Sequence, residues 1–165
     1  MGIAYLSLGS NIAPEEHLRA AIAELRERFG DLLLSPVYRT PAVGFEGANF
    51  LNAAARIDTD LSPEQLDAWL HALEDRHARD RSGPRFSSRT LDVDLLLYDD
   101  LVLQGAGHLE LPRPELATQA FVLKPMADIA PDVVHPTLGR TLGGLWAEMR
   151  VNGDPCTLCE RLQSR

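Results

Sequence analysis

Residues 89–98, Arg-Thr-Leu-Asp-Val-Asp-Leu-Leu-Leu-Tyr, predict a strand that leads from a polar loop into an apolar core. Alternate residues of a strand point to the same face, so Asp92 and Asp94 are expected side by side, followed on that face by Leu96 and Tyr98. The residues expected in a core on the opposite face are Leu91, Val93, Leu95 and Leu97. The pattern therefore predicts two carboxylates in one small patch.

An arginine-rich loop precedes this strand, with Arg79, Arg81, Arg85 and Arg89 around Gly83 and Pro84. Adjacent carboxylates repel each other unless a cation lies between them, and hard divalent ions such as Mg²⁺ take oxygen ligands. The planar fork of arginine matches phosphate oxygens. Alone, the carboxylates could be a solvent-exposed strand face and the arginines a solvent-exposed loop. Together they favour a site that holds a polyphosphate with Mg²⁺.

The predicted elements follow the order strand, helix, strand, strand, helix, strand. Hydrophobic periodicity places them at residues 3–8, 14–29, 32–40, 50–58, 63–77 and 89–98. This order is that of the ferredoxin-like βαββαβ fold, an α+β class with a mainly antiparallel sheet. A hairpin over 101–111 and helices over 123–130 and 142–149 are expected to follow. They would cover the second sheet face and complete a three-layer αβα domain.

The composition is that of one globular domain, expected over residues 1–150, with residues 151–165 as a disordered tail. The formal net charge of −8 disfavours general binding to nucleic acid or an anionic membrane. No apolar run approaches the length of a bilayer span and no signal peptide precedes the first strand, so a cytoplasmic location is expected. We also expect a monomer. Cys156 and Cys159 form a Cys-x-x-Cys in the tail and receive no role.

Several segments, taken together and in order, resemble one family, the 6-hydroxymethyl-7,8-dihydropterin pyrophosphokinases of folate biosynthesis. The resemblance covers the chain up to about Met149. Its pieces are residues 5–11 (Tyr-Leu-Ser-Leu-Gly-Ser-Asn), 38–41 (Tyr-Arg-Thr-Pro) with Gly44, 50–54 (Phe-Leu-Asn-Ala-Ala), 61–66 (Leu-Ser-Pro-Glu-Gln-Leu), Glu74 with Arg79 and Arg81, 89–98, and 121–123 (Phe-Val-Leu) with Pro125. Each piece is short, and the ordered set is specific.

This resemblance implies transfer of the β,γ-pyrophosphate of ATP to the hydroxymethyl oxygen of the pterin, with release of AMP. It implies that Asp92 and Asp94 hold two Mg²⁺ ions, and that Arg79 and Arg89 neutralise the transferring group. The residues implied for pterin binding are Thr40, Pro41, Val43, Phe50, Asn52 and Phe121. It implies Glu74 and Arg81 for ATP binding, and His71 and Arg113 are further candidates for the same site. ATP and the hydroxymethyldihydropterin are the expected partners.

Two departures from the family pattern lie downstream. Arg113 stands in place of the histidine of Pro-His-Pro, and Gln119 in place of an arginine before the Phe-Val-Leu segment. Two further classes are compatible with the order of elements. One is a non-catalytic nucleotide or pterin sensor on the same fold. The other is an RNA-binding module of the RRM type, which the acidic balance and the lack of an aromatic-rich basic strand disfavour.

Overall fold

The computed structural model describes residues 1–40, 49–77, 90–104, 109–151 and 160–162. Its strands are β1 (Gly2–Ser10), β2 (Leu33–Leu34), β3 (Val37–Thr40), β4 (Phe50–Thr59), β5 (Asp92–Tyr98), β6 (Leu103–Gln104), β7 (Glu110–Leu111) and β8 (Glu160–Leu162). Its helices are α1 (Pro14–Phe29), α2 (Pro63–Arg76), α3 (Glu115–Thr118), α4 (Ala120–Ile129) and α5 (Leu142–Val151). None of the helices described combines the length and apolar character of a membrane span.

The main sheet is antiparallel and has the strand order β5-β1-β4-β3-β8, while β2 pairs separately with β4. Strand β1 lies inside the sheet and pairs with β4 on one side and β5 on the other. Gly9 is therefore opposite both Asn52 and Asp92. A second, two-stranded sheet joins β6 and β7. The predicted α+β class with a mainly antiparallel sheet is confirmed.

Two hydrophobic clusters lie on opposite faces of the main sheet. The first face packs against α1 and α2, and its strand residues include Ala4, Leu6, Leu8, Leu51, Ala55, Ile57, Val93 and Leu95. The second face packs against α3, α4 and α5, and its strand residues include Tyr5, Ala54, Leu96 and Leu97. Period-two alternation explains how one strand supplies both clusters. The expected cover on both sheet faces is therefore present.

The second predicted helix has the local signals that start a helix. Ser62 Oγ accepts a hydrogen bond from Gln65 N at 3.1 Å, and Gln65 Oε1 accepts one from Ser62 N at 2.9 Å. Pro63 follows at the first helical position, where its missing N–H costs no hydrogen bond. This capping box fixes where α2 begins. Leu66, Leu70 and Leu73 are then fully buried against the first face.

The alternation predicted for β5 is wrong at its end. The register between β1 and β5 shifts between Tyr5 and Leu6, where Tyr5 pairs with Leu97 and Leu6 pairs with Leu95. This irregularity adds one residue to β5, so Leu96 and Leu97 both belong to the second-face cluster. Tyr98 belongs to the first-face cluster instead, and its hydroxyl donates to the Leu61 carbonyl. The predicted positions of Leu97 and Tyr98 are thus exchanged.

Other boundaries differ from the sequence expectation in smaller ways. The predicted strand 32–40 is broken into β2 and β3 at Ser35 and Pro36, and Ser35 Oγ accepts from Ala54 N at 2.8 Å. The first strand continues to Ser10 rather than turning at Gly9. Helix α4 begins three residues earlier than expected, and α3 was not foreseen. Three residues of the expected disordered tail, Glu160–Leu162, pair with β3.

Candidate active site

Three carboxylates meet where β5 begins. One oxygen from each of Glu74, Asp92 and Asp94 lies within 4.8 Å of the others, and we call this group the carboxylate cluster. Asp92 and Asp94 alternate with Val93, which faces the first-face core, so they lie on the second face. Glu74 comes from the last turn of α2. The predicted side-by-side arrangement of Asp92 and Asp94 holds, and Glu74 joins them.

Glu74 is held in place by the backbone of β5. Its side chain is almost completely buried, with 1% of the residue exposed, and Oε2 accepts a hydrogen bond from Val93 N at 2.8 Å. Within the described part of the chain β5 is an edge strand, so its outward N–H groups meet no neighbouring strand there. The Glu74 carboxylate therefore completes the strand edge. This contact fixes the distance between α2 and the two aspartates.

The electrostatics of the cluster are unfavourable for three negative charges. Burial raises the pKa of Asp94 well above its ordinary value, and the negative charge of Asp92 raises it further. Arg113 opposes these effects, with its Nη2 3.4 Å from Asp94 Oδ1. Burial lowers the pKa of Arg113 itself, but Asp94 and Glu115 outweigh burial and keep the guanidinium charged. A bound cation would oppose the burial and repulsion that raise the pKa of Asp94.

Arg113 also has a buried donor with no hydrogen bond among the described residues. Its Nε lies 3.6 Å from Glu115 Oε2, which is an ion pair but too long for a hydrogen bond. The backbone of Arg113 is tied to the sheet, since Arg113 N donates to the Leu96 carbonyl at 3.0 Å. An unpaired buried N–H is costly. A bound anion with acceptor oxygens would satisfy it.

The donor set of the cluster fits Mg²⁺. All three side chains offer carboxylate oxygens, which are the ligands that hard cations prefer, and the repulsion that raises the pKa of Asp94 is the kind that a divalent cation relieves. Glu74 already uses one oxygen for Val93 N. Asp92 and Asp94 are only partly buried and so remain accessible to an ion. The cluster can therefore hold divalent metal through the two aspartates, with Glu74 beside them.

A second group of predicted residues lies on the same sheet face as Asp92 and Asp94, on the other side of β1. Asn52 is buried on β4, and its Nδ2 donates to Thr40 Oγ1 at 2.6 Å. Thr40 pairs in register with Phe50 on β4. Phe121 on α4 packs against the second-face cluster. The structure thus places all four of these residues, predicted for pterin binding, on the second-face side of the sheet.

Gly9 lies between the two groups on β1, opposite both Asn52 and Asp92. A Cβ atom added at Gly9 would lie 2.8 Å from Asn52 Oδ1, closer than real Cβ contacts. The glycine is therefore required for the position of the Asn52 amide. Its place in the segment 5–11 was visible in the sequence, but the packing role was not, because it depends on the register of β1 against β4. Gly9 is a residue of the site that sequence reasoning missed.

The remaining predicted site residues fall into two sets. His71 lies on α2, three residues before Glu74, and is partly buried, while Gln119 precedes α4. The residues that lie outside the described ranges are Pro41, Val43, Arg79, Arg81 and Arg89, together with Cys156 and Cys159 of the tail. Glu115 was not predicted, and the contact of its carboxylate with Arg113 adds a further negative charge near Asp94. No local pattern in the sequence indicates that contact.

Comparisons with known proteins show which family this chain resembles. Residues 5–131 match the family model described as 7,8-dihydro-6-hydroxymethylpterin-pyrophosphokinase. A relative from Synechocystis, named 2-amino-4-hydroxy-6-hydroxymethyldihydropteridine pyrophosphokinase, is 38% identical over 142 residues, covering 84% of this chain and 72% of its own length. A relative of the same name from Pseudomonas aeruginosa is 38% identical over 154 residues, covering 90% and 93%.

Solved structures show the same likeness of fold. The crystal structure of wild-type Plasmodium falciparum HPPK-DHPS superimposes with a TM-score of 0.76, at 13% identity, and covers 99% of this chain. This chain corresponds to 44% of the Plasmodium chain, somewhat less than half its length. At that identity the likeness concerns the fold alone.

Proposed function

This chain belongs to the 7,8-dihydro-6-hydroxymethylpterin-pyrophosphokinase family, and on that premise we propose that it transfers pyrophosphate from ATP to the hydroxymethyl group of 6-hydroxymethyl-7,8-dihydropterin, releasing AMP. The observation that carries the proposal is the carboxylate cluster on the second sheet face, at the position of the Asp92 and Asp94 pair. Transfer of this kind requires chiefly positioning and neutralisation of phosphate charge. The cluster and Arg113 provide groups for both tasks.

The proposed metal is Mg²⁺, two ions held by Asp92 and Asp94. When bound, Mg²⁺ supplies positive charge to the triphosphate oxygens. Asp94 favours this role because its neighbours Asp92 and Glu74 leave it with an excess of negative charge. Glu74 acts by fixing α2 against β5 through Val93 N. The same excess of negative charge would repel a triphosphate that arrives without metal.

Arg113 is proposed to contact the nucleotide. Its guanidinium is mostly buried beside Asp94, and its Nε–H lacks a hydrogen bond among the described residues. A phosphate oxygen would accept from such a donor, as arginine forks do elsewhere. His71, Glu74 and Arg81 complete the proposed ATP site. Arg79 and Arg89 are proposed from the sequence resemblance to neutralise the transferring group.

The pterin is proposed to lie on the second-face side of β4, between Phe50 and Phe121. Asn52 has its amide oriented by Thr40, which leaves Oδ1 on the side of Gly9. An amide fixed in this way can recognise the edge of a flat heterocycle, and aromatic rings can stack on its faces. Pro41 and Val43 are proposed to contribute backbone contacts. This order places the acceptor hydroxyl next to the cluster, since Gly9 separates Asn52 from Asp92 by one strand.

Four finer statements are also proposals. The strand order β5-β1-β4-β3 with its two helices on one face supports a ferredoxin-like core. A cytoplasmic location and a monomeric state are predictions from the sequence. One domain over residues 1–150 stays a prediction as well.

Product analysis tests the proposed reaction. The protein is mixed with ATP, Mg²⁺ and 6-hydroxymethyl-7,8-dihydropterin, and the nucleotides are separated at several times. We expect AMP and the pyrophosphorylated pterin in equal amounts. Formation of ADP would indicate ordinary kinase chemistry and contradict the proposal. Binding of ATP and pterin without turnover would favour the sensor on the same fold.

A further inference from the structure

We propose that Arg113 competes with divalent metal for Asp94, so that the site binds a metal ion weakly alone and strongly together with a nucleotide. This inference rests on the proposed function. Arg113 Nη2 lies 3.4 Å from Asp94 Oδ1, and both side chains are mostly buried. Carboxylate oxygens are also the ligands that a hard cation takes. Arg113 and a metal ion are therefore alternative partners of one carboxylate.

The position of Arg113 allows its side chain to change partner while its backbone stays in place. Arg113 N donates to the carbonyl of Leu96 at 3.0 Å, which ties it to β5 two residues beyond Asp94. On the other side, α3 begins at Glu115. The backbone is thus fixed between a strand and a helix. Transfer of the guanidinium to another acceptor requires only rotation about side-chain bonds.

The charges around Asp94 make this competition effective. Burial raises the pKa of Asp94, Asp92 raises it further, and Glu74 and Glu115 add smaller effects, whereas Arg113 lowers it. Electrostatic interactions at such distances are stronger in a partly buried site than in water. A free ion must either displace the guanidinium from Asp94 or bind beside it. Repulsion between the two cations weakens metal binding in both cases.

A triphosphate would give Arg113 a different partner. Its Nε is buried, has no hydrogen bond among the described residues, and lies 3.6 Å from Glu115 Oε2. A buried donor without an acceptor favours a ligand that offers one, and the guanidinium fork matches two oxygens of a phosphate. A nucleotide would therefore draw Arg113 away from Asp94 as the metal arrives. Arg113 thereby favours the metal–nucleotide complex over the free ion.

Titration of the full chain with Mn²⁺, without nucleotide or pterin, tests the competition. Mn²⁺ prefers the same oxygen ligands as Mg²⁺, and the unbound ion is measured by electron paramagnetic resonance. We expect Arg113→Gln to bind Mn²⁺ at least roughly tenfold more tightly than the parent, because a positive charge beside Asp94 is removed. Mn²⁺ should also increase the melting temperature more in Arg113→Gln than in the parent. A non-hydrolysable ATP analogue should reduce or reverse the difference in affinity, since Arg113 then contacts phosphate.

Two variants separate competition for Asp94 from a change in net charge. Arg28→Gln removes the same charge, but Arg28 pairs with Asp60 at 3.2 Å where β4 ends beside the start of β1, whereas β5 begins beside the end of β1. It should bind Mn²⁺ like the parent. Arg113→Gln/Glu115→Gln keeps the net charge of the chain. It should still bind Mn²⁺ more tightly than the parent, because Arg113 acts on Asp94 more strongly than Glu115 does.

The outcomes distinguish this inference from the proposed reaction. Equal or weaker Mn²⁺ binding in Arg113→Gln would overturn the competition and leave the proposed metal site in place. If Arg113→Gln does not fold, the double variant decides by the same comparison. Absence of Mn²⁺ binding in the parent and in both Arg113 variants would also overturn the inference, whereas the reaction is judged separately by the release of AMP.

Discussion

The two faces of the main sheet share the strands β1, β4 and β5 but bury different kinds of residue. On the first face, every residue that β1, β4 and β5 add to the cluster is apolar, and α1 and α2 cover it. On the second face, an apolar half around Tyr5 and Ala54 lies beside a polar half with Asn52, Asp92 and Asp94. The candidate site residues on the described strands β4 and β5 therefore lie in one half of one face.

This difference indicates that the first face mainly stabilises the fold, while the second face carries the candidate site residues. The first face is apolar except for Ser10 and Thr59 at strand ends, so it can be packed to high density, and it supplies most of the buried leucines among the described residues. In the polar half of the second face, burial and then the negative charge of Asp92 raise the pKa of Asp94. Charged groups arranged in this way are typical of functional sites rather than of stable cores. Substitutions on the two faces should therefore have separable effects.

The largest effect is expected from Asp94→Asn on the second face. We expect turnover to fall by roughly 10²–10³-fold, because one carboxylate that neutralises the phosphate through metal is lost. The melting temperature should stay equal or increase, since the substitution removes a repelling charge. Steady-state kinetics and thermal unfolding measure the two quantities. Loss of folding together with loss of turnover would contradict the division between faces.

The neighbouring residue provides the opposite case. Leu95 is 1% exposed on the first face, and Leu95→Ala should reduce the free energy of unfolding by about 2–5 kcal/mol. Turnover per folded molecule should be nearly unchanged at low temperature. Urea unfolding gives the stability, and activity corrected for the folded fraction gives turnover. A specific loss of turnover in the folded fraction would show that the faces are coupled.

A smaller effect is expected from Gly9→Ala. This variant tests the contact of β1 with Asn52, which lies between the carboxylate cluster and the residues predicted for pterin binding. The new Cβ would lie 2.8 Å from Asn52 Oδ1, so the amide must move. We expect the KM for the pterin to rise roughly tenfold, with a small change for ATP. In Gly9→Ala/Asn52→Ala, the clash is absent, and the two losses should be less than additive. Fully additive losses would remove this role of Gly9.

The smallest effect concerns pH and the cover of the second face. His135 lies between α4 and α5, its Nδ1 accepts from Leu138 N at 3.2 Å, and burial lowers its pKa below 6.5. The unfolded chain therefore takes up a proton at His135 before the folded chain does, so stability falls as pH drops below about 6.5. Chemical unfolding at pH 7.5 and pH 5.5 should show that the free energy of unfolding decreases less between these pH values in His135→Gln than in the parent. An equal decrease would contradict this assignment.

Glu24, on a helix that covers the first face, makes stability depend on pH in a lower range than His135 does. The pKa of Glu24 is lowered from 4.5 by His77 and Arg76 in spite of burial. A carboxyl group with a lowered pKa contributes stability above its unfolded pKa and loses it as pH falls through the folded pKa. Glu24→Gln should therefore lower the free energy of unfolding at pH 7. It should also make that free energy decrease less as the pH falls below about 4.5. As the pH falls, stability that depends on His135 should decrease at a higher pH than stability that depends on the contacts of Glu24.

Much of the fold was predictable because it depends on local patterns. The capping box at Ser62, the periodicity of α1 and the alternation around Asp92 and Asp94 each require only neighbouring residues. The exchange of Leu97 and Tyr98 was not predictable, because a strict period of two has no place for an inserted residue. The order of residues within one strand does not indicate how that strand is aligned with its neighbours.

The same limit applies to the candidate site. Asp92 and Asp94 were found from one strand, whereas the bond of Glu74 to Val93 N and the ion pair of Arg113 with Asp94 join distant segments. Gly9 looked like a turn residue because glycine commonly marks turns. Its role depends on which residue faces it across β4. Resemblance supplied residue roles that spacing alone could not.

Nucleotide binding with and without Mg²⁺ tests the central claim most directly, namely that the second-face carboxylates bring metal and polyphosphate together. The affinity for a non-hydrolysable ATP analogue is measured by calorimetry for the parent, Asp94→Asn and Leu95→Ala, at a temperature where all are folded. We predict that Mg²⁺ strengthens binding in the parent and in Leu95→Ala, and that this gain is largely lost in Asp94→Asn. An undiminished gain from Mg²⁺ in Asp94→Asn would contradict the claim.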